Sequence, residues 1–96
     1  MFRVLFAPAA KNDLQAIYNY YENTIKGLGE RFLKVTDERL ERLVLTPLAS
    51  ELRYENVRCT LIKKFPYLIH YTVNQIQESV IVLRIFHTAQ KPIWDE

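Results

Sequence analysis

The chain is poor in the residues that build disulfide scaffolds, metal centres and membrane anchors. Among its 96 residues there is one cysteine, two histidines, two glycines and one tryptophan. A single thiol excludes an internal disulfide and offers no metal-ligand spacing, which suits a reducing cytoplasm. Cys59 reads as a sheet-packing residue, the usual fate of a free cysteine. Neither a Walker loop nor a dinucleotide glycine pattern occurs, so no cofactor is expected. The apolar run of Phe2 to Phe6 is too short for a secretion signal, and no later segment approaches the ~20 apolar residues of a membrane helix. These absences together predict a soluble cytoplasmic protein with no membrane partner.

Charge of one sign is also scarce. A formal net charge of +2 is too small to argue for nucleic acid, because non-specific phosphate binding needs several clustered cations. The basic residues that outnumber their acidic neighbours all lie late in the chain: Arg53, Arg58, Lys63, Lys64, Arg84 and Lys91. Any basic surface therefore belongs to the C-terminal half. The length suits one domain spanning residues 1–96 and not two. A domain of this size buries only roughly 60–70% of its unfolded surface, so a partner would add substantially to its stability.

Periodicity supplies the architecture. Phe2 to Phe6 reads as a strand that hands over to a helix at Pro8, where proline's missing N–H is no loss. Ala10, Leu14, Ile17, Tyr18 and Tyr21 form one helical stripe, giving a first helix from Pro8 to about Thr24. Gly27 and Gly29 mark the break. A second helix carries Leu28, Phe32, Val35, Leu40 and Leu43 and stops before Pro47. After a polar segment from Ala49 to Asn56, alternation predicts strands at Arg58 to Lys64, Tyr67 to Val73 and Val80 to Phe86. The expected fold is α+β: an N-terminal strand, an antiparallel helix hairpin, then a three-stranded antiparallel meander. In the last strand, alternation puts Val80, Val82 and Phe86 on one face and Ile81, Leu83 and Ile85 on the other, so both faces are apolar. Sheet curvature, the tail with Trp94, or another chain would have to cover the second face.

The polar groups on the sheet and tail are Arg58, Lys63, Lys64, His70, Tyr71, Arg84, His87, Thr88 and Lys91. His87 is the acid–base candidate, since an imidazole titrates near neutrality and this one ends a strand beside a loop. Arg84 interrupts an apolar strand, which calls for a carboxylate on a helix, a bound phosphate, or solvent. Metal-free RNA cleavage would need a base, an acid and cations of this kind.

These stretches resemble the RelE/ParE toxins of bacterial type II toxin–antitoxin modules. Phe6-Ala7-Pro8-Ala9-Ala10 is similar to the family's helix opening, Asp13-Leu14 through Tyr20-Tyr21 to its first helix, and Phe32 through Pro47 to its second. Val57-Arg58, Phe65-Pro66-Tyr67 through Tyr71, Val82 through Thr88, Lys91-Pro92 and Trp94 resemble its sheet and tail, so the likeness covers essentially the whole chain. The resemblance implies one of two activities. Members of the ParE type, associated with plasmid stabilisation, poison DNA gyrase by binding it. Members of the RelE type cut mRNA in the ribosome. Here Leu68-Ile69 is apolar where nuclease members place an arginine, and Thr88 follows His87 where some place a tyrosine, so the ParE type is preferred. On that reading Arg84, His87, Lys91, Trp94 and Lys64 contact the target. On the nuclease reading, with ribosome and mRNA as partners, Arg58, Lys63, Arg84 and His87 are catalytic. A third reading is a member that binds its antitoxin without toxicity. The resemblance also implies a cognate antitoxin, for which the apolar Leu83 and Ile85 are the docking candidates.

Overall fold

The computed structural model describes residues 1–89. The elements run in the order β1 (Arg3–Phe6), α1 (Pro8–Thr24), α2 (Leu28–Leu43), β2 (Leu52–Tyr54), β3 (Val57–Leu61), β4 (Tyr67–Asn74) and β5 (Ser79–His87). They form one five-stranded sheet, ordered β1-β5-β4-β3-β2, with the helix hairpin on one face. β2 through β5 are antiparallel neighbours, whereas β1 lies parallel to β5, with Val4 opposite Val80 and Phe6 opposite Val82. The helix hairpin carries the chain from β1 to β2 at the opposite edge of the sheet, and the antiparallel strands then return it so that β5 lies parallel beside β1. The α+β architecture is as expected, with one added strand. β2 falls inside the segment read as a polar connection, because three residues are too few to show alternation.

Helix boundaries follow local chemistry. Pro8 opens α1, and the Ala7 carbonyl accepts from the Ala10 and Lys11 N–H groups. Gly27 precedes α2 at φ 90°, in the left-handed region that glycine enters without penalty. The Glu22 carboxylate closes this corner: it accepts from Gly27 N–H at 2.9 Å and Gly29 N–H at 3.0 Å. A carboxylate there satisfies two orphan donors and sits at the positive end of the helix dipole.

The core lies between hairpin and sheet, where Ala10, Ile17, Phe32, Leu40, Ile69, Tyr71, Val80, Val82 and Ile85 are buried. Tyr21, Phe32, Phe65 and Tyr67 pack there as mostly edge-on rings with centroids 5.1–6.4 Å apart, an arrangement favoured by ring quadrupoles. Val82 and Ile85 both face this core, which simple alternation forbids. Tyr71 pairs with Val82 and His70 with Arg84, leaving Leu83 as an extra residue in β5. This β-bulge inverts the faces beyond it. The expected grouping of Ile85 with Ile81 and Leu83 is thereby corrected: Ile85, 3% exposed, is a core residue and cannot present itself to an antitoxin, whereas Leu83 stays half-buried.

The hairpin tolerates nothing larger than glycine at position 29. A Cβ there would lie 2.7 Å from the Tyr18 carbonyl oxygen and 2.9 Å from its ring. Gly29→Ala is therefore expected to destabilise by about 1–3 kcal/mol through overpacking, seen as a drop in Tm of about 4–8 °C per kcal/mol. An unchanged Tm in thermal unfolding would show that the helices separate there at no cost.

Candidate functional site

β1 ends at Phe6, opposite Val82, so the edge of β5 beyond that point has no strand beside it. α1 lies there instead, and its Asp13 meets the bare edge. One carboxylate oxygen, Oδ2, accepts from the Ile85 backbone N–H at 2.9 Å and from Arg84 Nε at 2.8 Å, and Oδ1 accepts from the Arg84 terminal nitrogen at 3.1 Å. A single side chain thus caps the exposed strand edge and takes a bidentate guanidinium. Asp13 is the more buried partner, with its side chain 16% exposed against 43% for Arg84. The Arg84 guanidinium also lies 4.5 Å from the centre of the Phe86 ring, a cation–π contact. The hydrogen bond to Asp13 raises the Arg84 pKa above its ordinary value against an opposing effect of burial.

This clasp forms one wall of a shallow cleft of about 280 Å³, lined also by Ile17, Tyr67, Phe86 and His87. His87 Nδ1 accepts from the Ala89 N–H at 3.0 Å, which places the proton of the neutral ring on Nε2. Its ring meets Tyr67 edge-on at 5.2 Å. Burial, reinforced by Tyr21 and Tyr20, raises the Tyr67 pKa, so this phenol stays protonated. The cleft offers a guanidinium, an imidazole and a phenol beside an apolar floor, a surface suited to polar recognition.

The other sequence candidates are dispersed. Arg58 stands opposite Tyr71 on β3, and its guanidinium donates to the carbonyls of Leu48 and Ser50, holding the connection between α2 and β2. Lys63 lies past the end of β3 in a cleft of about 460 Å³ against α2, with Arg39, Arg42 and Glu38. Lys64 is exposed in the following turn at φ 69°; Pro66 of that turn accepts from Thr88 N–H. Lys91 and Trp94 lie outside the described residues. Arg84 and His87 therefore share a site, and Arg58 and Lys63 do not join it. Sequence reasoning passed over Asp13 and Tyr67 as members of the site. The signal for Asp13 was available: three residues after Ala10 and four before Ile17, it lies on the buried face of α1. Among the described residues, no three His, Cys, Asp or Glu side chains gather as metal ligands, and no helix is long and apolar enough to cross a membrane.

On the opposite face of the sheet, His70 is fully buried beneath Tyr54, Cys59 and Phe86. Burial, aided by the charges of Arg53 and Arg84, pushes its pKa down to about 4. The Cys59 thiol, 3.4 Å from His70 Nδ1, has its pKa raised by burial against an opposing effect of Arg53.

The family model described as the ParE toxin of a type II toxin–antitoxin system, parDE, matches residues 4–92. Among solved structures, the chain resembles the chromosomal ParDE toxin–antitoxin system of P. aeruginosa, with 22% identity, TM-score 0.65, and coverage of 91% of this chain and 96% of that one. It also resembles the intact E. coli RelBE toxin–antitoxin complex, with 15% identity, TM-score 0.68, and coverage of 95% and 100%. The isolated E. coli RelE toxin matches at 13% identity and TM-score 0.67, over 98% and 92%. No curated protein matches the sequence.

Two outcomes test this geometry. Asp13→Ala leaves both Arg84 and the Ile85 N–H without their acceptor, so it is expected to cost about 2–3 kcal/mol and more than Arg84→Ala, which leaves the strand cap intact. Denaturant unfolding of both variants checks the order. For His70 the folded pKa lies below the unfolded value near 6.5, so its contribution is fully present above pH 6.5 and is lost as pH falls toward 4. Between those limits the wild type should lose up to about 1.4 kcal/mol per pH unit more than His70→Gln. Parallel slopes in the two proteins would disprove it.

Proposed function

The chain belongs to the ParE toxin family of type II toxin–antitoxin systems, and from that premise we propose that it arrests growth by binding and poisoning DNA gyrase. A cognate antitoxin holds it in check. The observation that carries this reading is the placement of the cations. Hydrolysis of RNA without a metal calls for a base, an acid and charge-stabilising cations converging on one phosphate. In this chain Arg84 is clasped by Asp13, Arg58 holds the connection between α2 and β2, and Lys63 lies along α2. The cleft at His87 is a shallow recognition surface whose phenol stays protonated. Because the fold likeness extends equally to RelE, fold alone does not discriminate the two activities. The engagement of Arg84 and Arg58, and the placement of Lys63 in a different cleft from His87, favour binding.

His87→Ala separates the mechanisms. For a binding surface, truncation of one half-buried side chain should weaken toxicity by less than about tenfold. Loss of a general acid or base costs about 10²–10⁴-fold. The readout is the expression level at which an antitoxin-free strain stops growing, with Tm as the folding control. A loss above a hundredfold at unchanged Tm would contradict gyrase poisoning by binding.

A further inference from the structure

The cleft of about 460 Å³ between α2 and the end of β3 is separate from the one at His87. Arg39, Arg42 and Lys63 line it, and none has a carboxylate within ion-pair distance among the described residues. Arg39 is half-buried. Its hydrogen-bond partner there is neutral: Nε and a terminal nitrogen both donate to Thr60 Oγ1. A guanidinium withdrawn from water without a counter-ion is costly. Arg42, one turn further along α2, adds a like charge and a further cost, and Lys63 brings a third cation from the chain after β3. Glu38 and Glu41 line the same cleft, yet neither pairs with these cations. An anion arriving from outside removes the cost.

Thr60 is itself buried on β3, so it fixes the Arg39 guanidinium against the sheet and leaves the remaining N–H groups for a ligand. A planar donor held in one place and flanked by two flexible cations fits a phosphate, which presents several oxygens at once. The wall beside it is apolar, formed by Val35 and by Leu61, which is 54% exposed. Such a wall suits the C–H edge of a sugar next to the phosphate, as in a nucleic-acid backbone. The small net charge of +2 does not oppose this, because the attraction is local. The cleft also lies at the His87 end of the sheet: Leu61 at the end of β3 stands opposite Leu68, and Tyr67 beside it stands opposite His87 at the end of β5. One large partner can therefore reach both.

We propose that the cleft of Arg39, Arg42 and Lys63 takes a backbone phosphate of the duplex DNA that gyrase holds, so that the toxin grips enzyme and DNA together. The proposal rests on the gyrase reading above and adds a second contact to it. The His87 cleft meets protein, and the cation cleft meets DNA. A target presenting both is bound more tightly than one presenting protein alone, since the second contact is made within one complex. Free DNA is held weakly, because three cations set among two carboxylates release few counterions. The toxin thereby selects gyrase in its DNA-bound state.

The test measures binding of the full-length toxin to gyrase alone and to gyrase loaded with a linear DNA duplex, for wild type and for Arg42→Gln/Lys63→Gln. Both substitutions are at exposed positions and spare Arg39, which holds β3, so folding is expected to survive, and Tm checks it. Wild type is expected to bind the loaded enzyme at least about tenfold more tightly than the bare one. The double variant should lose that preference while keeping its affinity for bare enzyme, and its slope of log affinity against log salt on the loaded enzyme should be shallower by about 2. Equal wild-type affinity for the two forms, or a preference that the double variant retains, would overturn the DNA contact and preserve the gyrase reading. Equal weakening of both forms by the double variant would assign the cleft to acidic groups of the enzyme and overturn the proposal as well. Failure of the wild type to bind either form would contradict the gyrase reading itself.

Discussion

Asp13 holds together parts of the chain that are 71 and 72 residues apart in sequence. β1 is four residues long and β5 nine, so pairing between them necessarily leaves part of a strand edge bare. A bare edge half-covered by a helix is costly, because its N–H groups are shielded from water without a partner. The Asp13 carboxylate resolves this by accepting the Ile85 N–H, and the charge it introduces is balanced by Arg84. Each group would be expensive alone: the carboxylate is largely buried, and the arginine interrupts an apolar strand. Together they fix the angle of α1 against the sheet and define one wall of the cleft that ends at His87.

The bulge at Leu83 is what makes the clasp possible. Without an extra residue, strict alternation after Val82 would send Arg84 toward the core and Ile85 away from it. With it, Ile85 enters the core while Arg84 reaches the edge, against Phe86 on one side and Asp13 on the other. Bulges serve to re-aim side chains at such places. The consequence for function is that Arg84 is both architecture and surface: its guanidinium is anchored, yet its side chain keeps 43% exposure. An anchored cation presents a fixed donor pattern to a partner at little entropic cost, which suits tight binding. Arg58 and Lys63, on other parts of the fold, add nothing to that site.

Much of this was legible in the sequence, and the misses share a cause. Helix stripes at Ala10, Leu14 and Ile17, the Gly27 break, and the alternating strands from Arg58 onward identify the elements, because local period and turn chemistry decide them. The face of Ile85 was not legible, because a single inserted residue leaves no mark in composition while inverting everything after it. β2 was missed because Leu52–Tyr54 is too short to show a period. The pairing of Arg84 was open between a helix carboxylate and a ligand; only the tertiary structure brings Asp13 to it. His70 gave no hint of full burial, since its cover comes from Tyr54 on another strand and Phe86 on β5.

The polar cleft at the end of β5 brings Arg84, Tyr67 and His87 together beside α1. The proposed reading is that this cleft acts by occupancy and not by chemistry. The most direct measurement adds the purified protein to DNA gyrase with supercoiling substrate and, in parallel, to translating ribosomes carrying a defined message. Stalled supercoiling with accumulating cleaved DNA, and an intact message, is the expected result. A message cut at discrete positions while gyrase runs unimpeded would contradict it.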